Sequence, residues 1–241
     1  MKWFSAILIV TLLACNKNPG VIPSGSGTVN SGLTAPPVHP NDSVSYLALG
    51  DSYTYGVGLP QNESYPFQLA AQLKGQSYLA RDPLVIAFQG WKGGDLLAGI
   101  AAHNITKKFD FVTILIGVND QNKGTDPKLY TMQLDSLVTQ ATTFANGYSG
   151  RVFVISIPDW SVTPFAAGMN IANIKSGVAL FNAINEAESK RLGANYIDIS
   201  AISEQAATDP TLTSADGLHP SAKGYALWVN QIQGSVIASF K

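Results

Sequence analysis

Two short segments near opposite ends of the domain carry residues that could pass a proton between them. Leu47-Ala48-Leu49-Gly50-Asp51-Ser52-Tyr53 is an apolar run that ends in a serine, and Asp216-Gly217-Leu218-His219-Pro220 sets a carboxylate three residues before an imidazole. A carboxylate at that spacing can hydrogen-bond one ring nitrogen and leave the other free to take a proton from a serine hydroxyl. The plainer reading of Ser52 alone is a turn or helix-cap serine. His219 could likewise be a surface residue ahead of Pro220. Neither His39 nor His103 has a comparable partner, and one histidine without a cluster cannot fill a three-ligand metal site, so no metal is expected.

Two further segments carry donors. Ile116-Gly117-Val118-Asn119-Asp120 offers a side-chain amide that can point at a developing oxyanion, although an Asn-Asp pair is also an ordinary turn. Gln89-Gly90-Trp91-Lys92-Gly93-Gly94-Asp95 lets backbone N–H groups approach a ligand closely at a helix start. It lacks Gly-Lys-Ser/Thr and a complete G-x-G-x-x-G, which argues against a phosphate-binding loop.

These segments need a frame. Residues 44–49, 84–88, 111–116, 152–157 and 196–199 are short β-rich runs, mostly apolar on both faces as buried parallel strands require. Helical stripes lie between and after them. Pro127 opens one with Tyr130, Leu134, Leu137, Val138, Ala141 and Phe144; Ile171, Ile174, Val178, Phe181 and Ile184 form another; Tyr225, Trp228, Val229 and Ile232 form a third after Pro220. Alternating strands and helices imply a doubly wound, three-layer α/β/α sandwich on a five-stranded parallel sheet, with ligands beyond the carboxyl ends of the strands.

In this order and at strand ends, the four segments resemble the blocks of the SGNH hydrolases, the GDSL esterase and lipase family. Gly50-Asp51-Ser52-Tyr53 is similar to the first block, Gly93 to the second, Gly117-Val118-Asn119-Asp120 to the third and Asp216-Gly217-Leu218-His219-Pro220 to the last. The resemblance implies a flavodoxin-like fold with Ser52 as nucleophile, His219 as general base and then acid, and Asp216 orienting His219. It implies an oxyanion hole made by the N–H groups of Ser52 and Gly93 and the amide of Asn119, with Gly90 and Gly94 competing for the Gly93 role. It implies an acyl-enzyme hydrolysed by water, with no cofactor. Tyr53 departs from the family's leucine, a change expected to alter packing beneath the nucleophile. The G-x-S-x-G elbow of the α/β-hydrolases is absent. Asp51 and Asp120 are expected to brace their loops. Trp91 and Trp160 are candidates for substrate contact, either by stacking on a sugar or by lining an acyl pocket, the plainer reading being that they simply pack.

The remaining sequence bounds the setting. The 241 residues carry 15 Lys and Arg against 16 Asp and Glu, a net charge of −1 with no basic run, which excludes nucleic acid as a partner. Lys2, an apolar stretch to Ala14 and Leu12-Leu13-Ala14-Cys15 resemble a bacterial lipoprotein signal. The expected organisation is a signal peptide at 1–14, a lipidated Cys15 leading a flexible Gly/Pro/Ser/Asn linker over 15–43, and one hydrolase domain at 44–241. The protein would be exported and anchored through its lipid to a membrane, facing the periplasm or the cell surface, with the outer membrane the expected site and a monomer the default state. Expected substrates are small carboxylic esters of short to medium acyl chains, acetylated carbohydrates or lysophospholipid-like molecules. Transfer of the acyl group to a sugar is a variant of the same chemistry. A tethered sugar- or lipid-binding module without turnover is the competing class.

Overall fold

Five apolar segments pair side by side to form the centre of the molecule. The computed structural model describes residues 33–241. Strand β1 (Ser43–Val44) is followed by β2 (Tyr46–Gly50), β3 (Leu79–Ala80), β4 (Leu84–Ala87), β5 (Phe111–Leu115), β6 (Val152–Ile155) and β7 (Asn195–Ile197). Five of these form one parallel sheet in the order β4-β2-β5-β6-β7, while β1 and β3 make a separate parallel pair. Every residue of β2, β5 and β6 is buried, whereas the edge strands β4 and β7 are only partly so. Burial on both faces is why the central strands read as unbroken apolar runs rather than as alternation.

The helices are α1 (Ser52–Tyr55), α2 (Tyr65–Gly75), α3 (Gly93–Ala102), α4 (Val118–Asn122), α5 (Pro127–Phe144), α6 (Ile171–Leu192), α7 (Ser200–Ser203) and α8 (Ala222–Ser239). Helices α2 and α8 pack on each other, and α3, α5 and α6 form a row, which completes the three-layer α/β/α sandwich. Their ends are set by local chemistry: Asp126 accepts from the N–H groups of Lys128 and Leu129 ahead of Pro127, Asn170 from that of Asn173, and Ser221 from that of Gly224.

Two boundaries differ from the sequence reading. The first strand was expected to run unbroken from Val44, but the N–H and Oγ of Ser45 both donate to Asp110 Oδ2, which separates the β1 pairing from β2. The folded unit also begins before Val44, because Arg151 Nη2 donates to the Pro36 carbonyl at 2.6 Å and the Val38 N–H to the Phe240 carbonyl at 2.8 Å. Residues 36–38 are therefore fastened to the domain rather than free in the linker. The expected signal sequence and Cys15 lie outside the described residues. Among the described residues, no helix is long and apolar enough to cross a membrane.

Candidate active site

Ser52 lies just past the carboxyl end of β2 as the first residue of α1. Asp51 caps this short helix, its Oδ1 accepting the Tyr53 N–H at 3.0 Å. The turn is tight enough that a Cβ on Gly50 would collide with Thr54 Oγ1 and with the backbone oxygen of Leu115. Only glycine lets α1 fold back over the sheet at this point. As the first helical residue, Ser52 has a backbone N–H with no acceptor inside the helix, and the residue is largely buried, at 5% exposed.

His219 is fixed by the aspartate three residues before it. Asp216 Oδ2 accepts from His219 Nδ1 at 2.6 Å, while Oδ1 accepts from Ser214 Oγ at 2.8 Å and from the N–H groups of Leu218 and His219 at 2.8 and 2.9 Å. Burial pushes the Asp216 carboxyl up, but the imidazole, the two backbone N–H groups and the Ser214 hydroxyl together hold it down at about 2. It is a carboxylate throughout the neutral range. With Nδ1 carrying the hydrogen, Nε2 is left as an acceptor, and it is buried with no partner among the described residues.

The two halves meet through Tyr53. Its ring lies against the His219 imidazole with 4.8 Å between centroids, and on Trp228 of α8 at 6.1 Å. The Tyr225 hydroxyl, also on α8, donates to the Tyr53 carbonyl at 2.8 Å. The tyrosine that stands where the family has leucine thus packs between His219 and α8 and seats α1 against the His219 loop.

The expected oxyanion donors come from adjacent strand ends. Asn119, in α4 just beyond β5, donates one amide hydrogen to the Trp91 carbonyl at 3.1 Å, leaving its second hydrogen unassigned. Gly117 enables this turn with a φ of +120°, and a Cβ there would lie 2.5 Å from the Tyr130 hydroxyl. Gly93 and Gly94 open α3, and the Gly93 N–H is committed to Asp120 Oδ2 at 2.9 Å. Gly90 is a turn residue whose carbonyl accepts from Lys123 Nζ at 3.0 Å. Asp51 and Asp120 do hold loops, and both carboxyls are pushed up by burial, Asp51 to about 8.

The two tryptophans separate. Trp91 stays partly exposed beside Asn119. Trp160, the other candidate for substrate contact, is instead 3% exposed, with its Nε1 donating to Gln121 Oε1 at 2.9 Å. The partner of its indole N–H, Gln121 on α4, is itself only partly buried. The sequence reading missed the exposed aromatics Tyr55 and Phe88, which lie within a helical turn of Ser52 and one residue beyond β4. Apolar residues at the carboxyl ends of strands were the signal that could have found them.

Residues 48–227 match the GDSL-like lipase/acylhydrolase family, a span that runs from within β2 to α8 and holds Ser52, Gly93, Asn119, Asp216 and His219. The chain belongs to this family. It is a hydrolase acting on esters. Among curated proteins this GDSL hydrolase is 28% identical over 162 residues to a multidomain esterase of Ruminococcus flavefaciens, covering 62% of this chain and 19% of that one. The chain therefore spans about a fifth of that relative's length. It is also 24% identical over 251 residues to the uncharacterized protein YpmR of Bacillus subtilis (strain 168), covering 96% of this chain and 93% of the other. Similar folds occur in TesA (TM-score 0.64, 19% identity, 81% of this chain and 99% of that one) and in an extracellular lipase from Streptomyces rimosus (0.60, 22%, 83% and 99%). An acetyl-xylooligosaccharide esterase from Geobacillus shares the fold at a TM-score of 0.62 and 17% identity, over 83% of this chain and 96% of that chain.

Proposed function

We propose that this hydrolase is a serine esterase that cleaves carboxylic esters of short to medium acyl chains through an acyl-enzyme on Ser52. The reading rests on one observation above all: His219 has its Nδ1 tied to a carboxylate and its Nε2 free, on a loop packed against the residue that follows Ser52.

In this account, His219 Nε2 takes the Ser52 proton as Oγ attacks the ester carbonyl. Asp216, ionised and fully hydrogen-bonded, stabilises the imidazolium that forms. The negative charge on the carbonyl oxygen is met by the Ser52 N–H and the second amide hydrogen of Asn119, with Gly93 joining if its N–H is shared with Asp120. The imidazolium then protonates the leaving alcohol. Water then attacks the acyl carbonyl as His219 takes its proton, and the imidazolium returns that proton to Ser52 Oγ as the acid leaves.

Acetyl groups on carbohydrates are a second reading, favoured by the name of the Geobacillus protein. The same account anchors the enzyme outside the cytoplasm through a lipid on Cys15, supported by Lys2 and the apolar run that ends at Ala14. The chemistry is tested by treating the full chain with a fluorophosphonate and mapping the adduct by mass spectrometry. A single adduct on Ser52, absent after Asp216 and His219 are both replaced by alanine, is the expected result. A chain that stays unlabelled under conditions that label a known serine esterase would favour the non-catalytic binding module.

A further inference from the structure

Two exposed aromatic side chains and a partly exposed one form a row beside the site. Tyr55 closes α1 and is 51% exposed, and Phe88 follows β4 and is 56% exposed. The Phe88 ring lies 6.1 Å from Tyr55 and 6.0 Å from Trp91, at interplanar angles of 65° and 45°. Trp91 is seated over Gly99 of α3, where any Cβ would strike its ring. At Tyr55 the row continues into a recess of about 330 Å³ walled by Leu59, Phe67, Val85 and Ala87, with Gln61 also at its lining. Large apolar side chains left exposed in contact with one another mark binding surfaces.

Both ends of the row belong to the site. Tyr55 is in the same short helix as Ser52, and the Trp91 carbonyl holds the Asn119 amide. The sheet order gives the row a direction. Strand β4 is the edge strand next to β2, whereas the His219 loop is fastened on the other side, where the Phe165 N–H donates to the Gly217 carbonyl at 2.9 Å and Leu218 lines one recess with Pro158 and Trp160. His219 delivers its proton to the leaving alcohol, so the alcohol half of an ester lies on that side. The acyl half is then directed towards the β4 edge.

We propose that Tyr55, Phe88 and Trp91 form an acyl-chain subsite that guides an apolar chain across Phe88 into the recess beside Tyr55. This rests on the serine-esterase reading above. An apolar chain fits better than a row of sugars, because the tilted rings share no plane on which successive pyranoses could stack, whereas an alkyl chain can follow a corrugated surface. The subsite selects substrates and takes no part in bond making.

The test is the ratio of kcat/KM for p-nitrophenyl octanoate to that for p-nitrophenyl acetate, measured on the full chain and on Phe88→Ala, Phe88→Leu and Phe165→Ala. Loss of the Phe88 ring should lower the ratio about tenfold, mainly through KM for octanoate. Leucine should restore most of it, and removing Phe165, on the opposite rim, should leave the ratio as it is. An unchanged ratio in Phe88→Ala, or a fall in Phe165→Ala instead, would overturn the subsite. Failure of the serine-esterase reading itself would look different, as acetate hydrolysis that survives Ser52→Ala.

Discussion

The Gly93 N–H donates to Asp120 Oδ2 at 2.9 Å, joining the turn after β4 to the turn after β5. Asn119 immediately precedes Asp120 and donates in the reverse direction, to the Trp91 carbonyl. Two hydrogen bonds thus cross the gap between these loops in opposite senses and set the spacing of the expected oxyanion donors. Asp120→Ala removes one of them and should lower kcat on the order of a hundredfold with little change in KM. Asp120→Asn keeps an acceptor for Gly93 and should lose much less. Steady-state kinetics on both variants checks this split.

Asp216 makes a different demand on the kinetics. Its carboxylate holds both the tautomer and the orientation of His219, through four hydrogen bonds shared between its two oxygens. Asparagine would keep the shape but offer the wrong hydrogen to Nδ1. Asp216→Asn should lower kcat by roughly 10³ to 10⁴. Because Asp216 titrates at about 2, it stays ionised at neutral pH, and small changes of pH there should not alter its contribution.

Asp51 predicts a pH dependence of stability. The carboxyl is fully buried; burial pushes it up to about 8 against the Tyr53 N–H that favours its charged form, and Asp120 adds to the rise. An unfolded aspartate ionises near its ordinary value of about 3.9, so between there and about 8 the native state holds a proton that the unfolded state has released. This group's contribution to stability therefore falls as pH rises through that window, by at most about 1.4 kcal/mol per unit. Asp51→Asn keeps the cap acceptor and removes the titration. Its stability relative to the parent, measured by urea unfolding at pH 5, 6.5 and 8, should increase with pH.

Gly50 is the steric test of the nucleophile turn. A methyl group there meets Thr54 Oγ1 and the Leu115 carbonyl oxygen, and the latter belongs to a buried central strand that cannot yield. Gly50→Ala should destabilise the fold by about 3 kcal/mol. Thermal unfolding followed by circular dichroism would register the change, and a variant as stable as the parent would refute the tight-turn account.

The fold was legible because the central strands are buried on both faces. The runs in β2, β5 and β6 have no polar alternation to obscure them, and the turns beyond β2 and β5 carry glycines at positions where a Cβ would clash. Strand ends were less legible. Ser45 leaves the expected first strand because of Asp110, a residue 65 positions away that no local pattern reveals. The Asp216–His219 pair is local in sequence and could be read from spacing, whereas the Gly93–Asp120 bond joins two loops and depends on sheet order. Trp160 shows the same limit, since the partner of its indole N–H is Gln121 on α4, 39 positions away in the chain. The packing of Tyr53 between His219 and Trp228 was visible only as a departure from the family leucine.

The central claim is that Ser52 is the nucleophile. Hydrolysis of p-nitrophenyl butyrate by the full chain, beside Ser52→Ala purified identically and matched by circular dichroism, tests it most directly. The account predicts turnover by the parent and a loss of at least about a thousandfold in the variant. Equal rates in the two proteins would contradict it and remove Ser52 from the reaction.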